Sequence, residues 1–288
     1  MKILVTGAGG QLGQELQALA PRFPHYQFVF LSRSALDLGD GRAIHAVIAS
    51  ERAAYCINAG AYTAVDKAES EPDAAFRVNG HGVGQLAAAC AQADTRLIHI
   101  STDYVFDGAA TAPYRESDPT APVGVYGASK RMGEELCGAA NPNAVIIRTA
   151  WVYSAFGHNF VKTMLRLLPQ KESLSVVSDQ HGCPTYAADL AGALLQIIES
   201  GKWVPGIFHY SNAGPTTWYH FAAAIRAHCG FACTLHAITT DQYPTPAKRP
   251  AWSVLDTQKI RETYGLGIRS WEECLAECLA LLRCGQQA

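Results

Sequence analysis

Tyr126 and Lys130, in the run Tyr126-Gly127-Ala128-Ser129-Lys130, stand four residues apart. On a helix that spacing puts both side chains on one face. A free phenol releases its proton near pH ~10, too high for ready proton exchange at neutral pH. A nearby ammonium favours the phenolate and lowers that value, and the same ammonium can hold a ribose hydroxyl. The pair therefore reads as a proton donor and its helper. Thr102 closes an apolar run, Leu97 to Ser101, where its hydroxyl can donate to a substrate oxygen. Each signal is weak alone: Tyr-x-x-x-Lys arises often by chance, and a threonine at a strand end can simply close a turn.

Weight comes from the start of the chain. Thr6-Gly7-Ala8-Gly9-Gly10-Gln11-Leu12-Gly13 spaces glycines as G-x-x-G-x-x-G between a strand-like run and a helical one. Glycine permits the tight turn and a close backbone approach to a pyrophosphate, whose charge then rests on the helix N-terminus. Gly7, Gly10, Gln11 and Leu12 are the candidate cradle. The alternative is a turn that only packs a helix against a strand. At the end of the second strand, where an NAD enzyme often carries an acid, stand Ser32 and Arg33. Arg33 can pair with a 2′-phosphate, which favours NADPH over NADH, though it could equally be a solvated arginine. Asp37, Leu38, Ala59, Gly60 and Ala61 are further candidates for lining adenine and ribose.

The elements that must position these residues alternate. Apolar runs at Ile3–Thr6, Phe28–Leu31, Tyr55–Asn58, Leu97–Ser101 and Val145–Arg148 are separated by helical stretches such as Gly82–Ala93. That alternation predicts an α/β fold with a doubly wound, Rossmann-type parallel sheet over residues 1–150. Residues 151–288 read as a smaller, interleaved substrate-binding domain, some of whose segments return to the sheet. Helices are expected at 159–168, 187–198, 217–228 and 271–282, and strands at 174–177 and 206–210. The proline-rich 243–250 stretch is a loop.

Composition excludes some classes. The net charge is −2, with 49% hydrophobic and 17% charged residues, so no electrostatic case exists for nucleic acid or an anionic membrane. No apolar run approaches the ~20 residues that span a bilayer. Met1 to Val5 leads straight into a strand without a signal-peptide pattern, so a cytoplasmic location is expected. The nine cysteines are scattered. Cys229/Cys233 and Cys274/Cys278 would each share a helix face, and reduced, partly buried thiols are the expectation.

These residues together resemble the extended short-chain dehydrogenase/reductase family, and within it the dTDP-4-dehydrorhamnose reductases. The resemblance covers nearly the whole chain. It is carried by Asn58 to Glu71, by Ser101-Thr102-Asp103-Tyr104-Val105-Phe106-Asp107-Gly108, by Arg148 to Tyr153, by Asp179 to Thr185 and by the loop Tyr243 to Pro250. It implies reduction of the C4 ketone of dTDP-4-dehydro-β-L-rhamnose to dTDP-β-L-rhamnose. Tyr126 would protonate the forming alkoxide, Lys130 would lower its pKa and bind ribose, and Ser101 would lie on the cofactor side. Thr102, Asp103 and Tyr104 would contact the sugar, Trp151 would pack on sugar or base, and Asn159 and Arg249 would reach the diphosphate. No metal would take part in the hydride step.

Some members of the resembled family dimerise through Mg²⁺ held by glutamates. Here Glu15 stands at one such position, but Ala188 precedes Asp189, and the tail from Cys284 to Ala288 has no acid. A monomer or a metal-independent homodimer is expected. Two other functions compete with a reductase. A dehydratase or epimerase of the same superfamily would need an acid after Thr102-Asp103, where Tyr104 stands. A non-catalytic NADP-binding regulatory subunit would not need the intact Thr102, Tyr126 and Lys130.

Overall fold

In the computed structural model, residues 1–284 are described; the sequence beyond Cys284, with the acid-free tail noted above, lies outside the described residues. The first half alternates strictly. It runs β1 (Lys2–Thr6), α1 (Gln11–Leu19), β2 (Gln27–Leu31), α2 (Gly41–Glu51), β3 (Tyr55–Asn58), α3 (Gly82–Gln92), β4 (Arg96–Thr102), α4 (Val125–Ala140) and β5 (Val145–Thr149). Further on come α5 (Phe160–Leu167), β6 (Ser173–Val177), α6 (Ala187–Glu199) and β7 (Gly206–His209). The chain then continues through α7 (Trp218–Cys229), β8 (Thr234–Ile238), α8 (Gln258–Tyr264) and α9 (Trp271–Cys284).

Six strands form one parallel sheet in the order β7-β5-β4-β3-β1-β2. The short strands are apolar nearly throughout because both faces are covered. On β1, Ile3 and Val5 enter a core with α1 and α6, while Leu4 enters the opposite core with α2 and α3. β7 arrives from the second half of the chain and pairs with β5, extending the sheet. Because all strands run the same way, Thr6, Asn58, Thr102 and Thr149 end at one edge. The strand order reverses around β1, and ligands of open α/β sheets bind at the carboxyl edge beside such a reversal.

A third core, with Tyr153, Val161, Met164, Phe221, Trp271 and Leu275 buried in it, joins α5, α7 and α9. Caps set the starts of these helices: Asn159 accepts from the Lys162 amide, and Thr217 accepts from that of His220. Gly230, at φ +68°, ends α7, so Cys233 lies past the helix and does not share a face with Cys229. This corrects the spacing argument, which overlooked the glycine stop. Cys274 and Cys278 do share α9 and are buried. Among the described residues, no helix is long and apolar enough to cross a membrane.

Candidate active site

The glycine turn joins β1 to α1. Gly7 has φ +67°, and a Cβ there would meet the Gly60 amide nitrogen at 2.5 Å. A Cβ on Gly13 would lie 2.4 Å from the Gly7 carbonyl oxygen. Glycine is therefore required both for the turn and for packing β1, β3 and α1 together. No side chain caps α1 at Gly10, so its first amides are left for an anion or water. Leu38 abuts Gly60 and closes the back of this cradle, with Ala59 and Ala61 on either side of Gly60. Ser32 bonds Ser34 through its hydroxyl, and Arg33 is exposed at the end of β2. These groups fit a dinucleotide.

The other half of the site lies where β4 ends against α4. A Cβ on Gly127 would come within 2.1 Å of the Tyr104 carbonyl oxygen, so glycine lets the helix approach the Thr102–Val105 turn. The Glu69 carboxylate accepts from the Val125 amide and fixes where α4 begins. Asn79 sits in a π-helical turn, a feature frequent at functional sites. It donates to Ser129 and exchanges two hydrogen bonds with the Tyr62 backbone, tying the segment after β3 to the helix.

Along this contact, Thr102, Asp103 and Lys130 are all buried. Thr102 Oγ1 donates to Asp103 Oδ1 at 2.9 Å and accepts from the Tyr104 amide at 3.2 Å. The rings of Tyr104 and Tyr126 meet edge to face, 5.7 Å apart. Burial pushes the Tyr126 phenol up to about 12, opposed by the Thr102 hydroxyl as hydrogen-bond partner. Burial also lifts Asp103 to about 6 and lowers Lys130 to about 8. The expected contact between ammonium and phenol differs here. Lys130 Nζ donates to the Ile100 carbonyl oxygen at 2.6 Å, as a buried ammonium must find an acceptor. The group that counters burial at Tyr126 is Thr102, whose own proton points to Asp103 and not outward as the sequence suggested.

Further candidates gather around this centre. Trp151, at φ +48°, follows β5, and its ring stacks on Trp218 with centroids 3.5 Å apart. Gly182 admits that ring, since a Cβ there would sit 2.5 Å from it. A bulky residue in the left-handed region is strained, and such strain clusters at functional sites. Asn159 and Arg249 are less free than the sequence implied. The Asn159 amide caps α5 and donates to Gln11 Oε1 at 2.9 Å, joining the glycine turn to the second half of the chain. Arg249 forms a two-pronged pair with Asp66, at 3.0 and 2.8 Å.

Sequence reasoning missed several members. Arg148 and Glu134 form a buried, two-pronged ion pair at 2.9 and 2.7 Å, and the Ser101 hydroxyl donates to the same carboxylate at 2.5 Å. Glu134 continues the spacing of Tyr126 and Lys130 along α4, a signal that could have found it. Asp66 and Trp218 left no comparable trace, because their partners are distant in the chain.

Residues 1–284 match the family model described as the RmlD substrate binding domain. A dTDP-4-dehydrorhamnose reductase of Sinorhizobium fredii is 43% identical, with all of both chains covered. A crystal structure of a dTDP-4-dehydrorhamnose reductase from Clostridium acetobutylicum superposes with a TM-score of 0.94 at 40% identity, covering 98% of this chain and 100% of that one. That of a Bacillus anthracis dTDP-4-dehydrorhamnose reductase in complex with NADP has a TM-score of 0.93 at 36% identity, covering 97% and 99%. With the glycine turn and the Thr102–Tyr126–Lys130 cluster in place over the full described length, this chain belongs to the RmlD family of dTDP-4-dehydrorhamnose reductases.

Proposed function

We propose that this chain reduces the C4 ketone of dTDP-4-dehydro-β-L-rhamnose with NADPH, NADH being the weaker cofactor, and so completes dTDP-L-rhamnose synthesis. The observation that carries the reading is the placement of Tyr126, Thr102 and Lys130 at the carboxyl edge beside the uncapped start of α1. When bound, NADPH supplies the hydride.

Tyr126 holds the proton for the C4 oxygen. Its phenol stays protonated until a stronger base appears, because burial disfavours the phenolate. The alkoxide formed at C4 is such a base. Lys130, fixed by the Ile100 carbonyl, would offer its remaining donors to the nicotinamide ribose. Asp103 and Tyr104 face the sugar, and the Trp151–Trp218 stack offers a flat surface to sugar or base. Arg249, already neutralised by Asp66, would bind a diphosphate only by sharing its guanidinium or exchanging partners. Asn159 would act there mainly through Gln11. Arg33, exposed just past β2, would hold the 2′-phosphate.

The cofactor is held mainly by residues 1–150 and the sugar nucleotide mainly by 151–288. The cytoplasm is the proposed location, supported by free thiols at the eight cysteines from Cys56 to Cys278. The enzyme works as a monomer or a homodimer that needs no metal. Asp189 is occupied by Arg269, and Glu15 accepts from Ser154. A dehydratase or epimerase finds no support at position 104, where a tyrosine stands in place of the acid.

Replacing Tyr126 with phenylalanine removes one hydroxyl. Turnover should fall roughly 10²-fold or more while NADPH still quenches tryptophan fluorescence. Near-normal turnover in that variant would refute the assignment of the donor.

A further inference from the structure

We propose that Asp66 is a positioning residue that aims Arg249 at the diphosphate of the sugar nucleotide. The inference rests on the proposed reduction of a dTDP-sugar and adds what holds its phosphate anchor in place. Arg249 comes from the proline-rich loop 243–250, and Asp66 from the short helical turn Val65–Ala68 that follows β3. The two Asp66 carboxylate oxygens, Oδ1 and Oδ2, accept from Arg249 Nη1 and Nη2 at 3.0 and 2.8 Å. Nη1 also donates to Thr245 Oγ1 at 2.5 Å and to the Ala247 carbonyl oxygen at 3.3 Å.

These bonds engage both Nη1 hydrogens and one of the Nη2 hydrogens. The Nε hydrogen and the second Nη2 hydrogen make no hydrogen bond to a described residue. They lie parallel along the other edge of the planar guanidinium, a fork that matches two oxygens of one phosphate. One edge is therefore clamped and the other is offered.

The offered edge borders the catalytic centre. Tyr104 lies close enough to feel the charges of both Arg249 and Asp66, and its ring meets that of Tyr126 edge to face. Arg249 holds the Asp66 carboxyl below the usual carboxylate range, so it is ionised at neutral pH. The Arg249 and Asp66 side chains are 23% and 42% exposed, and a pair so open to water adds little to stability. What the carboxylate fixes is direction. A long arginine side chain ordered in advance spares the incoming diphosphate that ordering cost. Thr245 strengthens the clamp, since its hydroxyl donates to the Ala247 carbonyl oxygen at 2.9 Å while accepting from Nη1.

Asp66→Asn separates aim from loop anchoring. The new amide oxygen can still accept from the Ala247 amide, as Oδ1 does at 3.2 Å, but its NH₂ would face Nη2, donor against donor. The probe is dTDP, titrated by calorimetry into the full-length protein with NADPH bound. In Asp66→Asn the Kd for dTDP should rise about tenfold or more, the scale of a lost charge-assisted hydrogen bond. KM for the keto-sugar should rise with it, while kcat and NADPH affinity stay within about threefold, as for lost ground-state binding. Arg249→Met should weaken dTDP at least as much, and in that background Asp66→Asn should add no further loss. Unchanged or tighter dTDP binding in Asp66→Asn overturns the proposal, tighter binding meaning that Asp66 competes with the diphosphate. So does an undiminished Asp66→Asn effect in the Arg249→Met background, which would mean that Asp66 acts only through the loop. If the wild type binds dTDP but leaves the keto-sugar unreduced, the proposed reaction fails and the anchor stands; if it binds no dTDP, both fail.

Discussion

Removing the Glu134 carboxylate should destabilise the protein far more than removing both members of its ion pair. The two side chains are 5% and 3% exposed, and both oxygens are used, at 2.9 and 2.7 Å from Arg148. In Glu134→Ala, Arg148 keeps its charge with no anion beside it, among the Phe106 ring face at 5.0 Å, the neutral His209 and the Ser101 hydroxyl. Burial followed by Arg148 itself pushes His209 down to about 3, so it stays a neutral ring and supplies no counter-charge. Breaking a buried pair on one side costs about 3–5 kcal/mol. At about 2–4 °C per kcal/mol for a chain somewhat smaller than this one, Tm should drop by roughly 6–20 °C. The double variant Glu134→Met, Arg148→Leu leaves no lone charge and should lie well above Glu134→Ala, by about 2 kcal/mol or more in the coupling term. Thermal and urea denaturation of the wild type, Glu134→Met, Arg148→Leu and the double variant measures the coupling, with Glu134→Ala run beside them. A Glu134→Ala cost below about 1 kcal/mol, or additive single losses, would refute the reasoning.

In the proposed function Lys130 holds the ribose as an ammonium, and burial lowers its midpoint to about 8; NADPH affinity should therefore be full below that pH and weaken as pH rises through it. A fluorescence titration should show the limb in the wild type and none in Lys130→Met, which binds weakly throughout. Arg33→Ala should weaken NADPH by about 1.5–3 kcal/mol, the value of a charge-assisted hydrogen bond, and NADH much less; equal losses in calorimetry would remove Arg33 from the 2′-phosphate. Assembly should ignore divalent metal, because Asp189 and Glu277 share the Arg269 guanidinium and Ala188 offers no ligand. Light scattering in EDTA and then excess Mg²⁺ should give one mass, and a dimer that appears only with metal would contradict this.

The parts of the site legible in the sequence are those written locally. The glycine turn announces itself because Gly7 must take a positive φ beside Gly60, and Tyr126 and Lys130 because helix geometry brings them to one face. The alternation of strands and helices is legible because both faces of the sheet are covered, which makes the middle of each strand largely apolar. What was not legible depends on contacts across the chain. Arg249 finds Asp66 across 183 positions, and no spacing rule links them. Trp218 meets Trp151 only once the start of α7 has come up against the segment that follows β5. The direction of the Thr102 proton depends on the carboxylate next to it, a matter of rotamers and not of residue type. The stop at Gly230 was local and readable, and spacing alone was the wrong guide to Cys233.

The most direct test of the whole account is to mix the purified protein with NADPH and enzymatically made dTDP-4-dehydro-β-L-rhamnose, following absorbance and then the sugar by NMR. The account predicts stoichiometric NADPH oxidation with dTDP-β-L-rhamnose as the product, bearing deuterium at C4 when the hydride donor is deuterated. No oxidation, or deuterium at any other carbon, would contradict it.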